Sequence, residues 1–131
     1  GVELDVAEVV VPRAVPAAGP DVADATLASG SRPTAVLCAN DYLAIGVLGA
    51  LAERGIDVPR EMSVMGVDDL ELASLLSPPL TTVRQDTASM GARAAAWVHL
   101  GIPERCHQLL TPSLVVRATT TAPADVVVTS G

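Results

Sequence analysis

The sequence predicts an α/β domain, a parallel sheet flanked by helices. Three observations predict it. Two short aliphatic runs, Ala35–Ala39 and Ser63–Val67, have the length of buried strands. Each is followed by a helical pattern, 41–54 after the first and Leu70–Leu76 after the second. Each run also hands over to polar residues at its carboxyl end, Asn40 in one case and Asp68-Asp69 in the other. In open α/β sheets that edge is where ligands bind.

Taken in order, Glu8–Val11 is apolar from Val9 and reads as a first strand before Pro12. Residues 12–20 carry Pro and Gly and read as loop. Asp21 can cap a short helix through Leu27, ended by Gly30. After the strand at Ala35–Ala39, Asn40 is a good N-cap for the helix at 41–54, which stops at Gly55. That helix is apolar nearly all round, whereas a surface helix carries one stripe. It is therefore expected to lay one face on the sheet and another on a partner subunit. Gly46 and Gly49 each cost a helix about 1 kcal/mol against Ala, which makes sense where something approaches closely. Strand Ser63–Val67 follows, then the short helix at Leu70–Leu76 with Asp69 as a candidate cap. Pro78-Pro79 breaks the chain before a strand at Thr81–Arg84. Residues 87–100 form a helix with Met90, Ala94, Trp97 and Val98 on one face. Leu109-Leu110 and Leu114–Val116 make a last extended segment. Residues 1–117 thus form one domain or part of one, and 118–131, rich in Thr and Ala, read as a disordered tail.

Composition bounds the function. The core must be aliphatic, since half of the 131 residues are hydrophobic but there is no Phe, one Trp and one Tyr. A formal net charge of −7 without a Lys/Arg cluster makes the chain a poor candidate for binding DNA or anionic lipid by itself. No apolar run approaches the ~18 residues of a membrane span. The chain opens at Gly1 without Met or a signal-peptide pattern and reads as a fragment. Cys38 and Cys106 read as free thiols. With His99 and His107 they match no zinc-ligand spacing, so no metal site is expected.

Asn40, Asp68 and Gln85 each lie just beyond the end of a strand. Parallel neighbouring strands would gather all three at one edge, where two amides and a carboxylate suit the hydroxyls of a small polar molecule. Asn40 is also explained as a cap alone, and Asp41 by the helix dipole. Asp68 and Asp69 repel each other, so one is expected to cap the next helix while Asp68 faces the ligand. Arg84 and Asp86 read as surface groups. No nucleophile elbow or phosphate-binding glycine loop appears, and no catalytic residue or cofactor is expected.

These residues resemble the lactose-repressor/galactose-repressor (LacI/GalR) family of bacterial transcription regulators. The matching text is Pro33-Thr34-Ala35, Ala39-Asn40-Asp41 with Ala44 and Gly46, Gly55 with Val58-Pro59, and Ser63-Val64 with Gly66-Val67-Asp68-Asp69. It continues through Ser77–Val83, Gln85, Gly91 and Leu114–Arg117. The resemblance covers the chain from Gly1 to about Thr121. It implies the carboxyl-terminal part of a periplasmic-binding-protein-like (type I) effector domain, in which two α/β subdomains close around a sugar or nucleobase. Asn40, Asp68 and Gln85 would line that cleft. The helix at 41–54 and the segment at 70–76 would form a homodimer surface, with Ala44, Val47, Leu48, Leu51 and Leu72 at the interface. Effector binding would control operator DNA binding through an amino-terminal helix-turn-helix lying outside this sequence, in a cytoplasmic protein with no membrane partner.

The chain departs from the family pattern at Val67, where Phe or Tyr is usual, and at Thr87, where a larger apolar residue is common. The resemblance also implies an incomplete fold, lacking a strand between those at 8–11 and 35–39. The 87–100 helix would lack the subdomain it normally packs on, leaving Met90, Ala94 and Trp97 as an apolar patch facing water. Self-association, element swapping or a rearranged helix is then expected. A periplasmic sugar-binding protein of an ABC-type transporter shares the fold and is the alternative reading. An enzyme on a related fold is a third, which the missing nucleophile, base and metal set argue against.

Overall fold

The computed structural model describes residues 5–30, 33–101 and 107–122. A four-stranded sheet runs β1 (Ala35–Leu37), β2 (Ser63–Val67), β3 (Thr81–Arg84), β4 (Ser113–Val115), in that spatial order. The first three strands are parallel and β4 returns antiparallel to β3, so the sheet is mixed at one edge. Helices α1 (Gly19–Ala28), α2 (Asp41–Glu53), α3 (Glu71–Leu75) and α4 (Thr87–Leu100) connect and flank it.

Local chemistry explains where α2 begins and ends. Asn40 has extended backbone geometry, and its side-chain oxygen accepts from the Leu43 amide at 2.8 Å. At the other end Gly55 sits at φ 73°. The Gly55 amide reaches the Ala52 carbonyl and the Ile56 amide that of Leu51, both at 3.0 Å, the two bonds of a Schellman motif.

The core lies between α1, α2 and the sheet, built from Val22, Leu43, Val47, Leu51, Val64 and Leu80 among others. Helices α1 and α2 meet at glycines. A Cβ on Gly46 would overlap the Pro16 carbonyl, and one on Gly19 would overlap the Gly46 backbone. Gly46 therefore serves close approach as expected. Gly49 does not, for its missing Cβ points into open space. Arg54 ties the far ends together, bonding Asp24 of α1 at 2.7 Å and the Ala50 carbonyl at 2.7 Å.

This packing corrects the reading of the apolar helix. Its second face meets α1 and the turn at Pro16–Ala18 within the chain. Ala44, Val47 and Leu51 are wholly buried within the chain, so they are not free to line a dimer interface. Leu48 is half-buried against the core, and Leu72 stays exposed.

Three further expectations change. Glu8–Val11 joins no strand: Val9 and Val10 are exposed and only Val11 packs on the core. Among the described residues β1 is the outer strand of the sheet, and an extended run becomes a strand only where a neighbour takes its hydrogen bonds. Helix α1 starts at Gly19, so Asp21 lies in its first turn instead of capping it. Asp69 does not cap α3, whose N-cap is Leu70 without a side-chain bond.

The expected tail is also partly structural. Thr119 is fully buried; its hydroxyl accepts from the Thr81 amide and donates to the Val64 carbonyl, while its own carbonyl accepts from the Val64 amide. Residues 118–122 thus close the amino-terminal end of the β2–β3 pair, because three buried backbone groups there need partners. The expectation for 123–131 lies outside the described residues, as does Cys106.

Candidate effector site

Parallel pairing of β1, β2 and β3 places their carboxyl ends at one edge, with Asn40, Asp68 and Gln85 following them. Asp68 and Gln85 meet there, the Gln85 amide donating to Asp68 Oδ1 at 3.0 Å. Both are exposed. Asn40 is at the same edge but is held by its surroundings. Its oxygen caps α2, and its Nδ2 donates to the Ala14 carbonyl at 3.0 Å.

The turn after β2 is unusual for non-glycine residues, with Asp68 at φ 116° and Asp69 at φ 55°. Each backbone amide in the turn has a partner. The Asp68 amide donates to the Val83 carbonyl, that of Asp69 to Thr82 Oγ1, and that of Leu70 to Asp41 Oδ2. The Thr82 hydroxyl in turn donates to Asp41 Oδ1 at 2.6 Å.

Asp41 is the residue that sequence reasoning missed. It is wholly buried and joins α2, β3 and the start of α3. Its place exists because residue 66 is glycine; a Cβ there would strike the Asp41 carboxylate. A carboxylate in a first helical turn is adequately explained by the dipole, so only the buried Thr82 hydroxyl and the gap at Gly66 betray its role. Cys38 lies in the same region and is buried; burial, then the charge of Asp41, push its thiol up to about 12. It is an inert packing residue.

Asp69 has a different role from its neighbour. Arg84 Nε reaches its Oδ2 at 2.5 Å and Arg117 Nη2 its Oδ1 at 2.6 Å, while Arg117 Nη1 also holds the Leu80 carbonyl. Burial acts to raise the Asp69 carboxyl, but hydrogen bonds and charge from Arg117 and Arg84 outweigh it and hold the group below the usual carboxylate range. The mutual repulsion of two adjacent carboxylates, from which a helix cap was expected at Asp69, is relieved here by two cations. Arg84, expected as a plain surface group, supplies part of that charge while staying half exposed. Asp86, also exposed, caps α4 through the Ser89 amide.

Beside Gln85 lies an open groove of about 640 Å³, floored by Val67 and Val83 and walled by Met90 and Trp97 of α4 and by Leu110. No residue of α4 is buried. Among the described residues, no group of three or more His, Cys, Asp or Glu gathers as a metal site. No helix among them is long and apolar enough to cross a membrane.

The model of the periplasmic binding protein-like domain matches residues 2–120. The chain belongs to that family. Within the periplasmic-binding-protein-like domains its relatives are LacI-type regulators, as the sequence resemblance implied. It is 41% identical over 101 residues to the HTH-type transcriptional repressor PurR of Vibrio cholerae, covering 74% of this chain and 30% of the relative. Among solved structures it matches the lac repressor dimer bound to operator and the anti-inducer ONPF, with TM-score 0.73 and 38% identity. That match covers 82% of this chain and 39% of the repressor chain. A LacI family regulator from Lactobacillus casei with bound glucose matches with TM-score 0.69 and 33% identity, over 81% of this chain and 40% of the regulator. The chain thus spans about 30% of the length of the curated PurR relative.

Proposed function

We propose that this chain is the effector-sensing and dimerisation portion of a LacI-type transcription repressor, contributing the carboxyl-terminal wall of the effector cleft. The Asp68–Gln85 pair carries this reading. It is an exposed carboxylate and amide, already in mutual contact, at the carboxyl edge of parallel strands. The names of the relatives support it, since two are repressors, one of them solved on operator, and a third is a LacI family regulator with bound glucose. The effector is a small polar molecule, sugar or nucleobase-like, bound by Asp68 and Gln85 with Asn40 at the rim. Its binding biases subdomain closure and thereby a helix-turn-helix outside this sequence, in a cytoplasmic regulator that needs no catalysis. Dimerisation uses the apolar side chains left exposed at α2 and α3, Tyr42, Leu72 and Leu75, backed by Leu48.

Operator release by the whole regulator, measured against ribose, glucose and a purine base, tests this. One of these probes is expected to release or recruit operator, and Asp68→Ala to weaken that probe by roughly ten-fold or more, about 1.4 kcal/mol. An unchanged response in the Asp68→Ala protein rejects the site. For the dimer, light scattering of Leu72→Asp is expected to give half the mass of the parent chain. Equal masses reject that surface.

A further inference from the structure

We infer that Asp69 is a positioning residue, clamped by Arg84 and Arg117 so that the turn after β2 holds Asp68 in place for the effector. The inference rests on the proposed reading of Asp68 as an effector contact. The two adjacent aspartates are chemically identical, and only their surroundings separate them. Asp69 has an 8% exposed side chain, with one carboxylate oxygen on each of two guanidinium groups. Asp68 is exposed, and Gln85 is its partner at 3.0 Å. Both residues have positive φ, a conformation that persists in non-glycine residues only when surrounding contacts over-determine it.

Those contacts come from elements far apart in the chain. Arg84 ends β3, and Arg117 follows β4 and is itself fixed through the Leu80 carbonyl and, by its amide, the Thr81 hydroxyl. Thr82 and Asp41 hold the amides of Asp69 and Leu70. The turn is therefore gripped by its side chain on one side and its backbone on the other, and the carboxylate left over is that of Asp68. A carboxylate suits the clamp because it offers an acceptor oxygen to each arginine. An Asn at 69 has one acceptor oxygen and an NH₂ that opposes the second guanidinium, so it frees one side of the turn.

The Gln85 side-chain amide reports the Asp68 position without any effector. In the ¹⁵N–¹H spectrum of this chain its NH₂ signals are expected to be dispersed, and to collapse to exposed-amide positions in Asp69→Asn, with the Val64 and Leu80 methyl signals of the ¹³C–¹H spectrum unmoved. Arg84→Ala removes a half-exposed partner and leaves Arg117 in place; a smaller shift in the same direction is expected. Should Asp69→Asn fail to fold, Arg84→Ala decides. In the whole regulator, Asp69→Asn is expected to weaken the active probe among ribose, glucose and a purine base by at least ten-fold. Unmoved Gln85 signals in a folded Asp69→Asn chain, or in Arg84→Ala where that variant decides, overturn the inference. If Gln85 moves but no probe acts on the parent regulator, the clamp stands as a structural device and the effector reading is what fails.

Discussion

Helices α2 and α4 are nearly equal in length, 13 and 14 residues, yet end in opposite environments. Both are N-capped by a side chain, Asn40 for one and Asp86 for the other. Helix α2 buries six residues and α4 buries none. Capping and apolar content make a helix; they do not make a core. Helix α2 is buried because α1 and the sheet both close on it, through glycines that let the backbones touch. Helix α4 has an apolar face but borders an open groove, with Met90 and Val98 exposed.

The strongest way to break this contrast is Gly46→Val. Its side chain would have to occupy the Pro16 carbonyl, so loss of cooperative thermal unfolding is expected in circular dichroism. Next comes a paired truncation. Leu51→Ala in α2 is expected to cost about 2–5 kcal/mol, whereas Val98→Ala in α4 should stay within about 0.5 kcal/mol. Equal losses in urea titrations would mean that α4 is packed after all.

A smaller effect is expected from Thr119→Val, which keeps the shape but leaves the Thr81 amide and Val64 carbonyl without their partner, at about 1–3 kcal/mol. A neutral Thr119→Val would place these residues with the disordered tail that composition suggested. The smallest effect is one of pH. Asp69 has a lowered pKa in the folded chain, so the unfolded chain binds its proton first as pH falls. Its stabilising contribution is present above the ordinary carboxylate value of about 3.9 and is lost as pH drops through the lower folded value. The stability gap between parent and Asp69→Asn should therefore narrow on acidification below about pH 4. A constant gap would show that the arginine pairs do not perturb the group.

Much of the fold was legible because its signals are local. Asn40, Gly55 and Pro78-Pro79 mark boundaries by their own backbone chemistry, and α2, β2, β3 and α4 lie where the pattern put them. The edge carrying Asp68 and Gln85 followed from parallel pairing alone. What could not be read was partnership. Val9-Val10 has strand composition without a strand to join. Ala44, Val47 and Leu51 are as apolar as any interface residue, but they are wholly buried within the chain. Arg117, 48 positions after Asp69, has nothing in its neighbours to mark it as a clamp.

By itself the sequence determined the α/β class, the termini of α2 and α4, the family and the polar edge of the sheet, since caps, strand periodicity and turn residues act within a few positions. Only the tertiary structure decided that Asp41 is buried, that Asp69 is clamped while Asp68 is presented, and that Thr119 belongs to the core. Burial and pairing depend on which distant surfaces arrive, and the energy of a carboxylate or an aliphatic side chain is set by that company.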